Sequence, residues 1–259
     1  MRFKRIISRS ISEITALISN FRAPHYGFRV LIYHAVGTRV KYDYQGIFSI
    51  APELFERHMA NLAGYRNASV VGFCNGQTYN DKLEVAVTFD DGYKDNLYKA
   101  APILLKHNIP FTVFVTSSFI QNNSLEFLNS RELRELSSYS GVTIGSHGAT
   151  HTPLIKCNNN ELRKEMQDSK YYLEDLIGKK VNIISYPYGL VNRRVRDAAE
   201  AAGYIRGGCS LFGINDAVQD PLLLRRSIIL SQDSERVFLQ KIRGDWDWCS
   251  WFKKDPINT

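Results

Sequence analysis

The stretch Thr88-Phe89-Asp90-Asp91-Gly92-Tyr93 sets two adjacent carboxylates directly after a short apolar run, Val85-Ala86-Val87, that reads as a buried strand. Neighbouring strand residues point to opposite faces, so two acids at a strand tip can be given different tasks. One can hold a metal while the other takes a proton. The plain alternative is an Asp-Asp-Gly turn with one Asp capping the next helix. Farther on, Ser146-His147-Gly148-Ala149-Thr150-His151-Thr152-Pro153 carries two histidines four residues apart. Gly148 and Pro153 argue for a loop or a single irregular turn, which can still direct both imidazoles at one point. Two histidines and one carboxylate make a common open metal site that leaves positions for water and substrate. A cation held there would polarise a carbonyl and acidify water.

The elements that must position these residues alternate. Strands are expected at 29–33, 85–87, 111–115, 141–145 and 181–185, with late strands near 205 and within 222–229. Helices are expected from Ala51-Pro52-Glu53 onward, and over 95–107, 131–138, 160–176, 193–202 and 234–242. Pro52 sits early in its helix and Gly178 and Gly203 close theirs, as helix ends prefer. Alternation of this kind predicts an α/β fold with a parallel sheet, open or closed into a barrel. Asp90-Asp91, His147, Pro187-Tyr188-Gly189 and His34 all fall just after a predicted strand. The carboxyl ends of parallel strands gather on one side, so these chain-distant groups converge there. His58 lies on the apolar face of its helix and reads as structural.

Composition bounds the rest. The 259 residues are 44% hydrophobic, enough for one large core, and the net charge of +7 favours an acidic partner such as an anionic glycan or membrane. No nucleic-acid motif occurs, so no nucleic-acid partner is expected. Cys74, Cys157, Cys209 and Cys249 have no paired spacing and read as reduced thiols of a cytoplasmic protein. No apolar run is long enough to span a bilayer, and the N-terminus lacks the apolar core of a secretion signal. Residues 2–21 instead form a basic amphipathic helix pattern that suits either an anionic inner membrane surface or the protein's own domain. Three regions are therefore expected: this N-terminal helix at 1–24, the main domain at 25–243, and an aromatic tail at 244–259.

TFDDGY at 88–93, SHGATH at 146–151 and YPYG at 186–189, in this order and spacing, resemble the polysaccharide deacetylases, the NodB-homology domain or carbohydrate esterase family four. LIYHAV at 31–36 and LRR at 224–226 fit as well, and the resemblance covers roughly residues 29–230. It implies a distorted (β/α) barrel with fewer than eight complete repeats, and metal-dependent removal of acetyl groups from N-acetylated amino sugars. Asp91, His147 and His151 match the ligands of a divalent metal, zinc being the usual ion. Asp90 matches the general base, and Pro187-Tyr188 the segment whose Tyr188 backbone N–H faces the oxyanion. Two departures stand out. Many members carry an Arg where Ser185 stands, and many place an acid histidine late in the chain, where this sequence has none after His151. The exopolysaccharide-deacetylase branch fits better, with His34 matching the acid and Arg226, or else Arg225, matching the brace of the base. The Asp245/Asp247 pair is not carried over. The resulting expectation is a hydrolase acting on a bacterial surface polysaccharide, oligosaccharide or lipid-linked glycan precursor. Its competitors are a degenerate glycan-binding barrel and a hydrolase of non-sugar amides.

Overall fold

The computed structural model describes residues 26–40, 43–77 and 82–250; the 2–21 pattern and the end of the aromatic tail lie outside them. In chain order the strands are β1 Gly27–Tyr33, β2 Ala35–Val36, β3 Ser49–Ile50, β4 Ala68–Val70, β5 Leu83–Phe89, β6 Phe111–Val115, β7 Val142–Ser146, β8 Ile183–Ser185, β9 Arg206–Gly208 and β10 Ser227–Ile228. The helices are α1 Pro52–Ala63, α2 Ala101–Lys106, α3 Ser117–Gln121, α4 Ser130–Ser138, α5 Asn159–Ile177, α6 Arg193–Ala201 and α7 Glu235–Arg243.

Seven strands run in the order β10-β1-β5-β6-β7-β8-β9, with β4 added beside the start of β5. Every pairing between them is parallel. The two edges are joined by the chain before β10. Leu224 bridges Gly208 of β9, while Ser227 pairs with Leu31 of β1. The result is the distorted barrel that the resemblance implies, one of the two forms the alternating pattern allows, with fewer than eight complete repeats.

Strand alternation sorts the side chains onto two faces. Leu31, Tyr33, Val85, Val87 and Phe89 join one cluster with the covering helices, while Phe28, Val30, Ala86, Phe114 and Ile183 form another. Thr88 and Asp90 share the parity of Ala86, so period-two geometry carries the Asp90 position toward the second cluster. The helix expected over 95–107 begins as a π turn, Asn96–Ala100, before it becomes α2. Pro102 offers no N–H to the carbonyl of Tyr98 and its ring crowds that carbonyl, so the turn before it widens. The short elements β2, β3, β4 and α3 were too brief to leave a periodic signal.

His58 is structural, as its position on α1 suggests. Its Nδ1 lies 3.2 Å from the Tyr33 hydroxyl, its Nε2 3.0 Å from the Asp233 carbonyl, and its ring stacks on Phe238 at 4.3 Å. Burial brings its pKa down to about 4, so it is held neutral.

The start of the aromatic tail packs back on the barrel. Arg29, fully buried on β1, donates to both oxygens of Asp247 at 2.7 and 3.0 Å and to the Ile242 carbonyl at 3.1 Å. Truncating one member of a buried pair strands the other charge. Asp247→Ala is therefore expected to lower unfolding free energy by about 3 kcal/mol in urea titrations. The double variant Arg29→Met/Asp247→Ala should recover part of that loss, because no buried cation is left behind.

Candidate active site

The turns after β1, β5, β7 and β8 converge at one end of the barrel. Among the described residues, only five non-glycine positions have positive φ, and three are here: Asp91 at 74°, His151 at 59° and Tyr188 at 62°. Side chains visit this region at a cost of about 1–2 kcal/mol each, and such strain collects at functional sites. Asp91 shows what the strain achieves. A continued strand would send it to the face opposite Asp90. The left-handed turn instead puts its Oδ1 3.4 Å from His147 Nε2 and 3.2 Å from His151 Nε2. One ligand-capable atom from each of these residues lies within 4.8 Å of the others.

His147 is oriented from behind. Its Nδ1 sits 2.8 Å from the Ser185 carbonyl, so that nitrogen carries the proton and Nε2 keeps its lone pair toward Asp91. Burial pulls the His147 pKa down, but Asp90 and Asp91 outweigh it and the net shift is upward. The site attracts positive charge. Asp91 would be raised by burial, yet the His147 and His151 contacts hold it well below the usual carboxylate range. Its Oδ1 is nonetheless buried with no hydrogen-bond donor of proper geometry. A buried acceptor flanked by two imidazole nitrogens and left unsatisfied fits a cation better than it fits protein alone.

Asp90 has a different environment. Arg226, fully buried, donates Nη1 to Oδ1 and Nη2 to Oδ2, both at 2.9 Å. The Ser185 hydroxyl donates to Oδ2 at 3.0 Å and accepts from Arg226 Nη2 at 2.7 Å. Arg226 is itself fixed by the Cys209 carbonyl at 3.0 Å and lies 5.4 Å over the Phe114 ring. It reaches Asp90 by crossing Gly208, where a Cβ would come within 2.5 Å of its Nε. Burial alone would raise the Asp90 pKa; Arg226 and His147 reverse this and lower it. Arg225 turns the other way, toward Gln219 and Gly213. Ser185 thus stands where the resemblance implies an arginine, and the guanidinium arrives from the closing segment.

His34 lies at the end of β1 with its ring 4.9 Å from Phe48, and its buried Nδ1 has no hydrogen-bond partner. Burial lowers its pKa; Asp91 and Asp90 pull upward without restoring it. Tyr188 is 60% exposed and its ring lies 4.8 Å from that of His151, while Pro187 is buried. Asp90, Asp91, His147, His151, His34, Tyr188 and Arg226 are brought together and Arg225 is not, but several supports were not foreseen. Asp95 accepts the N–H groups of Val36 and Thr38, and Asn96 donates to the His34 carbonyl at 2.9 Å. Both follow the TFDDGY motif by two and three residues, and their polarity in an otherwise apolar helix face was the available signal. Glu165 of α5 holds the loop between the two histidines, and Ser169 of α5 meets the Ser146 hydroxyl just before His147.

The family model described as polysaccharide deacetylase matches residues 77–206, half of the chain. This chain belongs to the polysaccharide deacetylase family. The Bacillus subtilis protein YxkH, whose name carries the same family, is 30% identical over 183 residues, covering 69% of this chain and 62% of that protein. The poly-beta-1,6-N-acetyl-D-glucosamine N-deacetylase of Staphylococcus aureus is 28% identical over 143 residues, half of this chain and 48% of the relative. The chain thus spans about half to three-fifths of the length of these relatives. The deacetylase PplD of Streptococcus pyogenes, solved in complex with acetate, shares the fold, with a TM-score of 0.74 at 24% identity over 85% of this chain and 99% of that one. In this chain, Arg226→Ala leaves Asp90 buried without its main cation, so burial is opposed only by His147 and His34 and the Asp90 pKa moves upward. A depressed carboxylate stabilises above its unfolded pKa and loses that contribution as pH falls; a raised one does the reverse. The urea midpoint of the wild type should therefore drop below about pH 4, where carboxylates titrate, whereas the difference between wild type and Arg226→Ala should widen as pH rises from about 4 to 7.

Proposed function

We propose that this chain is a metal-dependent hydrolase that removes N-acetyl groups from amino sugars of a bacterial surface polysaccharide, an oligosaccharide or a lipid-linked glycan precursor. The observation that carries this reading is the division between two adjacent acids. Asp90 is clamped by Arg226 and Ser185, while Asp91 meets His147 and His151 with an unsatisfied oxygen. A glycan-binding barrel has no use for that separation, and family membership supports the same chemistry.

Asp91, His147 and His151 would hold the divalent ion, with zinc suited to two imidazoles and a carboxylate. When bound, it supplies positive charge that polarises the acetyl carbonyl and acidifies water. Asp90 accepts the proton of the attacking water. Its lowered pKa keeps it ionised into the acid range, and the bidentate guanidinium keeps its carboxylate in one orientation. The backbone N–H of Tyr188, which lies on a strained left-handed turn, is the donor this reading assigns to the charge that develops on the carbonyl oxygen. His34 gives its proton to the departing amine. With its pKa lowered by burial, its acid form falls away from the lower side of neutrality upward. The exposed Tyr188 ring offers a flat face to a pyranose. The relative that acts on poly-beta-1,6-N-acetyl-D-glucosamine supports an N-acetylglucosamine polymer as the first substrate to try. The net charge of +7 supports a place next to an anionic surface or carrier.

The test begins with metal analysis and needs no choice of sugar. Purified protein should hold about one metal ion per chain, the occupancy of a three-ligand open site, and His147→Ala should hold none. No uptake by either protein from supplied zinc would sink the proposal. Acetate release from a β-1,6-linked N-acetylglucosamine oligomer should vanish in Asp90→Asn while metal content stays normal. His34→Ala should lower kcat about 10²–10⁴-fold, the range for general acid–base groups, and remove the alkaline limb of the pH profile.

A further inference from the structure

The loop from His147 to His151 has no regular structure of its own, yet it must hold His151 at φ 59°. Its support comes from α5. Glu165, only 8% exposed, directs its carboxylate into the loop. Oε2 accepts the N–H of Ala149 at 2.8 Å and that of Thr150 at 3.0 Å, and Oε1 accepts the Thr150 hydroxyl at 2.5 Å. All three donors lie between the two histidines. Thr150 Oγ1 also meets Thr152 Oγ1 at 2.8 Å, which extends the brace past His151. Gly148 makes room for it: at φ 76° it presents no Cβ, and one placed there would sit 3.1 Å from Glu165 Oε2.

We infer that Glu165 is a positioning residue that sets the metal affinity of the Asp91–His147–His151 cluster by fixing the loop between its histidines. This rests on the metal-binding reading of that cluster. Three donors occupy both carboxylate oxygens, so Glu165 acts through the loop and not on substrate. The geometry separates hydrogen bonding from charge. In Glu165→Gln the amide oxygen can take both N–H groups while the amide nitrogen donates to Thr150 Oγ1, which turns its own proton toward Thr152. Glu165→Ala loses all three bonds.

Competitive Zn2+ titration of the apo protein against a chromophoric chelator reads the effect. Wild type and Glu165→Gln should agree within about threefold, and Glu165→Ala should bind about 10–100-fold more weakly, the loss seen when groups orienting metal ligands are removed. Leu173→Ala, a buried apolar truncation farther along α5, separates positioning from general stability. Its unfolding midpoint should fall with Zn2+ affinity unchanged. Wild-type affinity in Glu165→Ala, or equal weakening in Glu165→Ala and Leu173→Ala, would overturn the inference. Should Glu165→Ala fail to fold, Thr150→Val against Glu165→Gln gives the same contrast, since only the former loses a bond; equal affinities there would overturn it as well. A wild type that takes up no Zn2+ overturns the metal reading itself, and this inference with it.

Discussion

The bidentate contact between Arg226 and Asp90 is the interaction on which the rest depends. A lone carboxylate inside a barrel would be neutralised by burial, and a lone guanidinium there would be costlier still. Each makes the other tenable, and the Ser185 hydroxyl satisfies one remaining site on both. Arg226 lies between Leu224, which bridges β9, and Ser227, which pairs with β1. The same four residues therefore close the sheet and deliver the positive charge. Barrel closure and ionisation of Asp90 are one structural event.

Strain is distributed with similar economy. Asp91, His151 and Tyr188 occupy left-handed backbone on three separate turns, after β5, β7 and β8. Each bends a side chain or an amide away from where regular structure would send it, toward a common centre. The surrounding fold must over-determine these conformations to keep them. It does so with polar groups from neighbouring elements: the Ser185 carbonyl behind His147, Glu165 beneath the loop before His151, and Asp95 and Asn96 around the end of β1.

Most of the frame was legible in the sequence because it rests on periodicity and punctuation. β6, α4 and α5 with its Gly178 stop follow directly from apolar spacing and end signals. The site residues were legible for a different reason: each follows a strand, and parallel topology brings strand ends together. Pairwise partnership was not legible from pattern. Nothing in local spacing says that Ser185 would contact Asp90 across 95 positions, or that Glu165 would face Thr150 from one buried turn of α5. The first contact depends on how the sheet curls and the second on the angle at which α5 crosses it, and periodicity carries neither. The choice of Arg226 over Arg225 was similarly a matter of strand parity in a segment with only two residues of regular strand, too short to show alternation.

That brevity sets a mechanical demand. β10 is Ser227–Ile228 alone, and a two-residue strand has little to resist the pull of a buried ion pair at its entrance. Its anchoring comes from the opposite side of the sequence. Arg29 donates to the Ser227 hydroxyl at 3.4 Å and to the Ile242 carbonyl, and Lys241 of α7 donates to the Ile228 carbonyl at 2.7 Å. Lys241 pairs in turn with Asp233, whose carbonyl meets His58. Asp247 completes the set by neutralising Arg29. The polar network around α7 and the start of the tail thus clamps the short strand that leads from Arg226. Residues 244–250, the start of the aromatic segment, pack on the barrel for this reason: Asp247 neutralises the cation that holds the strand following the guanidinium beside Asp90.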